Sequence, residues 1–307
     1  MSDGRVIAIV GPTATGKSDL AVALAQRLDG EVINADSMQL YAGMDIGTAK
    51  LPVAERGGVE HHLLDIWPLA KSAAVAEYQV LARLAIAAIQ DRGRVPILVG
   101  GSGLYLRGAL DHLEFPGESP PIRRRLEAEL AEGGSAALHA RLADQDPLAA
   151  AAILPSNGRR VVRALEVIEL TGRPFTARMP GFESVYDAVQ IGLDRADLDE
   201  RVARRVHRMM ELGLLDEIRA LLPRGLRASP TAGKALGYAQ LLAVLDDAGT
   251  VVGDLDEAIA QTVRATTRFV RRQRSWFRRD PRIHWLDGAS PDLVGAAVST
   301  LDLGEVV

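Results

Sequence analysis

The stretch that decides the fold is Gly11-Pro12-Thr13-Ala14-Thr15-Gly16-Lys17-Ser18. It lies between an apolar run, residues 5–10, and residues 17–28, where Leu20, Ala21, Leu24 and Leu28 share one helical stripe. Strand, glycine-rich turn and helix in that order, with the spacing Gly-x-x-x-x-Gly-Lys-Ser, make a P-loop. Its glycines let backbone N–H groups converge on phosphate oxygens at a helix N-terminus. Lys17 adds a point charge, and the Ser18 hydroxyl is a ligand for Mg²⁺. The alternative is a strand–helix turn that binds nothing.

Outward from this loop, the first third of the chain alternates strands with helices. Residues 31–34 read as a second strand, 72–91 as a long helix, 94–99 as a β-branched run and 102–110 as another helix. Such alternation predicts an α/β fold of P-loop NTPase-like type, a parallel sheet flanked by helices. From about 113 to 186 the pattern is helical only, at 122–132, 135–142, 147–153 and 158–170. Pro116-Gly117 and Pro120-Pro121 open this region, and Gly172 and Pro174 stop its last helix. Residues 188–193 read as a strand again. The expected organisation is a core of 1–112 and 187–307 interrupted by an all-helical insertion, 113–186. Helices at 198–212, 214–222, 234–246 and 255–278, a strand at 283–286 and a small helix near 291–301 complete the core.

Composition narrows the function classes. With 48% hydrophobic and 25% charged residues the 307-residue chain can bury a full core, and 4% aromatic content makes that core mainly Leu, Val, Ile and Ala. The absence of cysteine excludes disulfides, thiolate zinc sites and Cys nucleophiles. No apolar run approaches the roughly 20 residues of a membrane span. Met1-Ser2-Asp3-Gly4-Arg5 leads into a strand too short for a signal segment, so a cytoplasmic protein is expected. A net charge of −4 argues against a uniformly basic nucleic-acid binder. Locally the sign reverses: Arg264, Arg268, Arg271, Arg272, Arg274, Arg278, Arg279 and Arg282 face one acid, Asp280, with Phe269, Trp276 and Phe277 interleaved. That run is either a solvated amphipathic helix or a surface for phosphates and stacked bases.

A P-loop normally suggests ATP or GTP, with an acid ending a neighbouring strand to help hold Mg²⁺. Here the run 95–99 ends in Gly100-Gly101-Ser102-Gly103, without a carboxylate. The acid at a strand end is Asp36, after Val32-Ile33-Asn34. Ligands of open α/β sheets bind outside the carboxyl ends of the strands, so the three loops should share one crevice. Asp36 is then a general base, a metal ligand or an ordinary N-cap. Ser37, Gln39 and Tyr41 could hydrogen-bond a planar polar substrate, and the glycines at 100–103 would admit a ligand closely, or simply form a tight turn. His61 and His62 point to opposite faces of a strand and are expected to be structural.

These loops together resemble those of tRNA dimethylallyltransferases, which prenylate the adenosine immediately 3′ of the anticodon. The matching residues are 11–18, Asp36-Ser37-Met38-Gln39-Leu40-Tyr41, Met44-Asp45-Ile46-Gly47-Thr48-Ala49-Lys50 and His61-His62-Leu63-Leu64-Asp65. Further along come Val99-Gly100-Gly101-Ser102-Gly103-Leu104-Tyr105, Arg163-Ala164-Leu165-Glu166, Gly237-Tyr238 and Arg271-Arg272-Gln273-Arg274-Ser275-Trp276-Phe277. They span nearly the whole chain in family order. Ser102 replaces the family's threonine, and Leu51 displaces a proline to Pro52. The eukaryotic zinc finger is absent, as in the bacterial form.

The resemblance implies dimethylallyl diphosphate as donor, an adenine N6 amine as acceptor and Mg²⁺ as cofactor. It implies a diphosphate site in Gly11, Pro12, Thr13, Ala14, Thr15, Gly16, Lys17 and Ser18, with Ser18 on the metal and Arg219 nearby. Asp36 becomes the base, with Lys17 and Ser102 also catalytic. Contacts to the tRNA anticodon stem-loop fall on Asp36, Ser37, Met38, Gln39, Ser102, Arg123, Arg159, Arg160, Val161, Val162, Arg163, Gly237, Tyr238, Arg268, Arg272, Gln273 and Trp276. A monomer without membrane attachment is expected. Rival readings are a nucleoside or nucleotide kinase, a prenyltransferase acting on free AMP and a non-catalytic RNA-binding module.

Overall fold

Six parallel strands carry the site. The fold is taken from a computed structural model, which describes residues 5–175 and 181–303. The N-terminal reading at 1–4 and the part of the expected insertion at 176–180 lie outside the described residues.

In chain order the first segment runs β1 (Val6–Val10), α1 (Lys17–Leu28), β2 (Gly30–Asn34), β3 (His61–His62), α2 (Val75–Asp91), β4 (Val95–Val99) and α3 (Gly103–Leu110). The helical segment is α4 (Pro120–Gln145), α5 (Pro147–Ala152) and α6 (Gly158–Thr171). The last third is β5 (Ala188–Asp194), α7 (Leu198–Glu211), α8 (Leu214–Leu221), α9 (Tyr238–Leu242), α10 (Leu255–Phe277), β6 (Ile283–Asp287) and α11 (Leu293–Leu303). The strand order is β3-β2-β4-β1-β5-β6, every pairing parallel. This is the expected α/β architecture.

The central strands are apolar throughout because both faces are covered. Val6, Ala8, Val10, Ile33 and Leu98 pack with Tyr78, Ile86 and Ile89 of α2 and Leu106 and Leu110 of α3. The alternate residues Ile7, Ile9, Val32, Ile97 and Ile191 pack with Leu20, Leu24 of α1 and Ala297, Leu301 of α11. Register levels the strand ends: Ile9 lies opposite Val99 on one side and Ile191 on the other. Gly100 N–H donates to Ile9 O at 3.1 Å and Ala35 N–H to Val99 O at 2.8 Å, so Gly11, Asp36 and Gly100 leave the sheet at one rim.

The chain divides into two units, one of Met1–Asp111 with Phe182–Val307 and one of His112–Gly181. The second closes earlier than the pattern to 186 suggests. Phe182 belongs with the first unit, its ring 4.6 Å from the Arg107 guanidinium, and Val185 N–H donates to Leu110 O at 2.8 Å. Within the helical unit Leu126, Leu138, Leu142, Ile153, Val161 and Leu165 form the core. The expected helices 122–132 and 135–142 form the two halves of α4, separated by a kink at Gly134, whose φ of 75° and ψ of 168° are non-helical. The expected helix 234–246 shrinks to α9, because Gly237 at φ 86° interrupts the path into it.

Candidate active site

Gly11 has φ +127°, and a Cβ there would lie 2.4 Å from Leu193 O on the neighbouring strand. Only glycine lets the loop leave β1 beside β5. The turn continues through Ala14 at φ 67° and Gly16 at φ 95°, both left-handed. Gly16 precedes α1 without a capping side chain, so the first-turn amides of that helix open on the loop. The rest of the loop is braced. Thr15 Oγ1 donates to Pro12 O at 3.0 Å, Arg201 Nε to Ala14 O at 2.8 Å and Lys17 Nζ to Pro12 O at 2.5 Å. The Thr13 amide is engaged by Gln273 Oε1 at 3.0 Å.

Around this loop lies a cavity of about 210 Å³, lined by residues 13–19, Asp36, Gln39, Thr48, Gly101, Arg201, Arg205 and Gln273. Three cations, Lys17, Arg201 and Arg205, meet two acids, Asp19 and Asp36. Burial, aided by the positive Arg205, pushes the Lys17 ammonium down to about 7, with Asp36 opposing. Burial also raises the Asp36 carboxyl above the ordinary aspartate range, against the Met38 N–H, Lys17 and Arg205. Arg205 itself is disfavoured as a cation by burial, and makes no hydrogen bond or ion pair among the described residues. Such a cavity favours an anion, which relieves the strain on Lys17 and Arg205.

Asp36 is held rigidly. Its N–H donates to Asn34 Oδ1 at 2.9 Å, and its Oδ1 accepts from Met38 N–H at 2.9 Å. It therefore closes a turn and caps no helix. Ser102 Oγ accepts from Ser37 N–H at 3.2 Å and lies 3.3 Å from Ser37 Oγ, so both hydroxyls stand beside Asp36. A second cavity of about 400 Å³ adjoins, lined among others by Ser37, Met38, Ser102, Val206, Gly237, Phe269 and Arg272. Thr13, Asp36, Thr48 and Arg205 line both cavities.

Several expectations need correcting. The glycines at 100–103 are packed closely by protein: added Cβ atoms would lie 2.3 Å from Ala35 O at Gly100, 2.3 Å from Gln273 Nε2 at Gly101 and 2.0 Å from Trp276 Nε1 at Gly103, while Gly100 and Gly101 also line the P-loop cavity. Tyr41 is buried with its hydroxyl on Lys71 O, facing away from any substrate, and Gln39 Nε2 is spent on Thr48 O at 3.1 Å. Arg219 stands outside the P-loop cavity, on α8, donating to Gly249 O at 3.0 Å and Asp216 at 2.8 Å. The arginines that do face the P-loop, Arg201 and Arg205, were open to sequence reading only as an i,i+4 pair on the helix after β5.

The RNA-contact set also divides. Arg268 and Arg272 are exposed on α10, and Arg272 lies 5.7 Å from the Phe269 ring. Arg159 and Arg160 are exposed on α6. Val161 and Val162 are core residues of the helical unit, and Tyr238 is buried with its hydroxyl 2.5 Å from Glu217 Oε1. Arg123 and Arg163 pair with the fully buried Glu166 at 2.7 and 2.9 Å, bracing their own unit. Trp276 packs on Gly103, and Gln273 is buried. His61 bonds Val59 O, and His62 bonds Glu31. Among the described residues no cluster of three His, Cys, Asp or Glu could hold a metal, and no helix is long and apolar enough to cross a membrane.

The family model described as IPP transferase matches residues 39–280. A tRNA dimethylallyltransferase of Streptomyces avermitilis is 68% identical over 291 residues, 94% of this chain and 92% of the relative. Among solved structures, the full-length tRNA isopentenylpyrophosphate transferase of Bacillus halodurans is 41% identical with a TM-score of 0.71, covering 99% of this chain and 98% of that one. A eukaryotic dimethylallyltransferase acting on tRNA superposes with a TM-score of 0.79 at 26% identity, covering 98% of this chain and 78% of that one.

Proposed function

The chain belongs to the IPP transferase family of tRNA dimethylallyltransferases and transfers a dimethylallyl group to tRNA, and from that premise we propose the route its residues take. The donor is dimethylallyl diphosphate, and the acceptor is the N6 amine of the adenosine 3′ of the anticodon. The diphosphate occupies the P-loop cavity against the first-turn amides of α1, Lys17, Arg201 and Arg205. The adenine, unstacked from its loop, occupies the adjoining cavity beside Asp36, Ser37 and Ser102.

An exocyclic adenine amine is a weak nucleophile, because its lone pair is delocalised into the ring. As the new C–N bond forms, Asp36 accepts the amine proton. The allylic C–O bond breaks and its electron pair leaves with diphosphate, where Lys17 and the two arginines neutralise the growing charge. Ser37 and Ser102 orient the amine. The loop also fits Mg²⁺, a hard ion bound by few protein oxygens plus substrate phosphates. Ser18 would hold it, and it would supply further positive charge to the leaving group. Exposed Arg268 and Arg272 on α10 and Arg159 and Arg160 on α6 supply phosphate contacts to the anticodon stem-loop.

The observation that carries this reading is Asp36 on the wall shared by both cavities, while the strand that would carry a kinase's acid ends in Gly100-Gly101. Cytoplasmic action is supported by the tRNA substrate. Action as a monomer is supported by one chain carrying the P-loop, Asp36 and α10 together, and a one-to-one complex with tRNA in sedimentation is expected. The decisive assay incubates the protein with labelled dimethylallyl diphosphate, Mg²⁺ and either bulk tRNA or AMP. Label recovered as N6-dimethylallyl adenosine in tRNA is expected. Label in AMP alone, or in neither acceptor, overturns the proposal.

A further inference from the structure

Gln273 lies on α10 among residues that face the substrate cavities, yet its own side chain is committed elsewhere. It is 5% exposed. Its Oε1 accepts from the Thr13 N–H at 3.0 Å, and its Nε2 donates to Gly101 O at 2.8 Å. One partner is an N–H and the other a carbonyl, so the amide can take only one orientation. Gly101 exists in this form to admit it: a Cβ there would lie 2.3 Å from Nε2. Gly101 has no left-handed backbone requirement, so this close approach is what demands glycine.

The two backbone groups belong to different walls. Thr13 is part of the P-loop, and Gly101 precedes Ser102, whose hydroxyl stands beside Asp36. The neighbouring residues of α10 face the second cavity, through Phe269 and Arg272, or seat the helix, through Trp276 on Gly103 and Arg274 on Asp194 at 2.7 Å. A single amide thus joins the helix that carries the RNA-facing arginines to the phosphate loop and to the base-side loop.

We propose that Gln273 is a positioning residue that fixes the separation between the P-loop and the Ser102 loop, and so the distance between the leaving group and the adenine amine. This rests on the reading that the P-loop holds the donor's diphosphate. Gln273 makes no contact with RNA in this role. Reacting atoms must be placed within a fraction of an ångström, and a displacement of about 1 Å costs up to about a hundredfold in rate.

The test is a split between rate and affinity. Q273M keeps the volume and removes both hydrogen bonds. Its single-turnover prenylation at saturating dimethylallyl diphosphate and tRNA should fall at least about tenfold. Its affinities for inorganic diphosphate and for an isolated anticodon stem-loop should stay within about threefold of wild type. An unchanged rate overturns the inference. So does loss of stem-loop affinity with the saturated rate retained, which is the signature of direct RNA contact.

Should Q273M not fold, G101A carries the same test, because its Cβ displaces the amide. Q273A with G101A should then be no slower than Q273A alone, since both changes act through the same Gln273 amide. Additive losses overturn the inference. Wild-type protein that binds no inorganic diphosphate overturns both this inference and the donor-site reading. Wild-type binding with an unaltered variant rate overturns this one alone.

Discussion

Lys17 should take up a proton when diphosphate binds, and the amount follows from its setting. Free of ligand, burial and the positive Arg205 hold the ammonium near 7 instead of its ordinary 10.5. At pH 8 a group with pKa about 7 is roughly nine-tenths neutral. A diphosphate beside it restores the charged form, so binding at pH 8 takes up about 0.9 proton at this residue, against about 0.1 at pH 6. Apparent affinity should therefore weaken about tenfold, or about 1.4 kcal/mol, per pH unit above roughly 7. The assay is titration calorimetry of inorganic diphosphate in buffers of different ionisation enthalpy. The difference between wild type and K17M removes the ligand's own titration and most of that of Asp36. In the unliganded protein the unfolded chain binds more protons at Lys17 than the fold does between about pH 7 and 10.5. Stability attributable to this group therefore rises with pH across that window, and K17M should be more stable than wild type below it. Equal proton uptake by wild type and K17M at pH 8 refutes the reasoning.

Asp36→Ala should lose at least about a hundredfold in single-turnover rate while still binding diphosphate, the scale of general-base loss; near-normal turnover rules Asp36 out as the base. Since burial raises its carboxyl, the acidic limb of the wild-type pH–rate profile should lie above the ordinary aspartate range and vanish in the variant. R205A should weaken inorganic diphosphate binding by about tenfold or more, the worth of a charge-assisted contact, whereas R219A should leave it within about twofold. Equal effects would return Arg219 to the donor site. E166A leaves the partly exposed Arg123 and Arg163 without their buried partner and should destabilise the helical unit by about 1–3 kcal/mol. Limited proteolysis reads this as faster cleavage between 112 and 181, and unchanged protection contradicts the bracing role.

The parts of this molecule that were legible in sequence are those whose logic is local. Strand, glycine turn and helix stand within residues 5–28, and the spacing of Gly11, Gly16 and Lys17 carries its own geometry. Asp36 was legible one step further out, because parallel strands bring their carboxyl ends to one rim. Arg201 and Arg205 were not, since they reach the P-loop from 183 or more residues away, and their spacing resembles any amphipathic helix. The glycines at 100–103 were visible but ambiguous. A position that must lack a Cβ looks the same in sequence whether a ligand or Gln273 fills the space. Tyr238, Val161 and Val162 lie in segments that face RNA in the resemblance, yet the side chains themselves turn into cores.

What separates this site from a phosphoryl-transfer site is the position of its strand-end acid, Asp36. In a phosphoryl-transfer site a carboxylate ending the neighbouring strand helps hold Mg²⁺ against the phosphates. Here that strand, β4, ends in glycines occupied by α10, and the acid sits instead after β2, on the wall shared with the second cavity. The P-loop side carries three cations against Asp19 and Asp36, a balance suited to holding an anion. The other side presents the Asp36 carboxyl, whose proton affinity is raised by burial, next to two hydroxyls and an arginine-bearing helix. In the proposed reaction Asp36 and the cations act on opposite sides of the reacting carbon, and Gln273, tied to both walls, is proposed to set how far apart they stand.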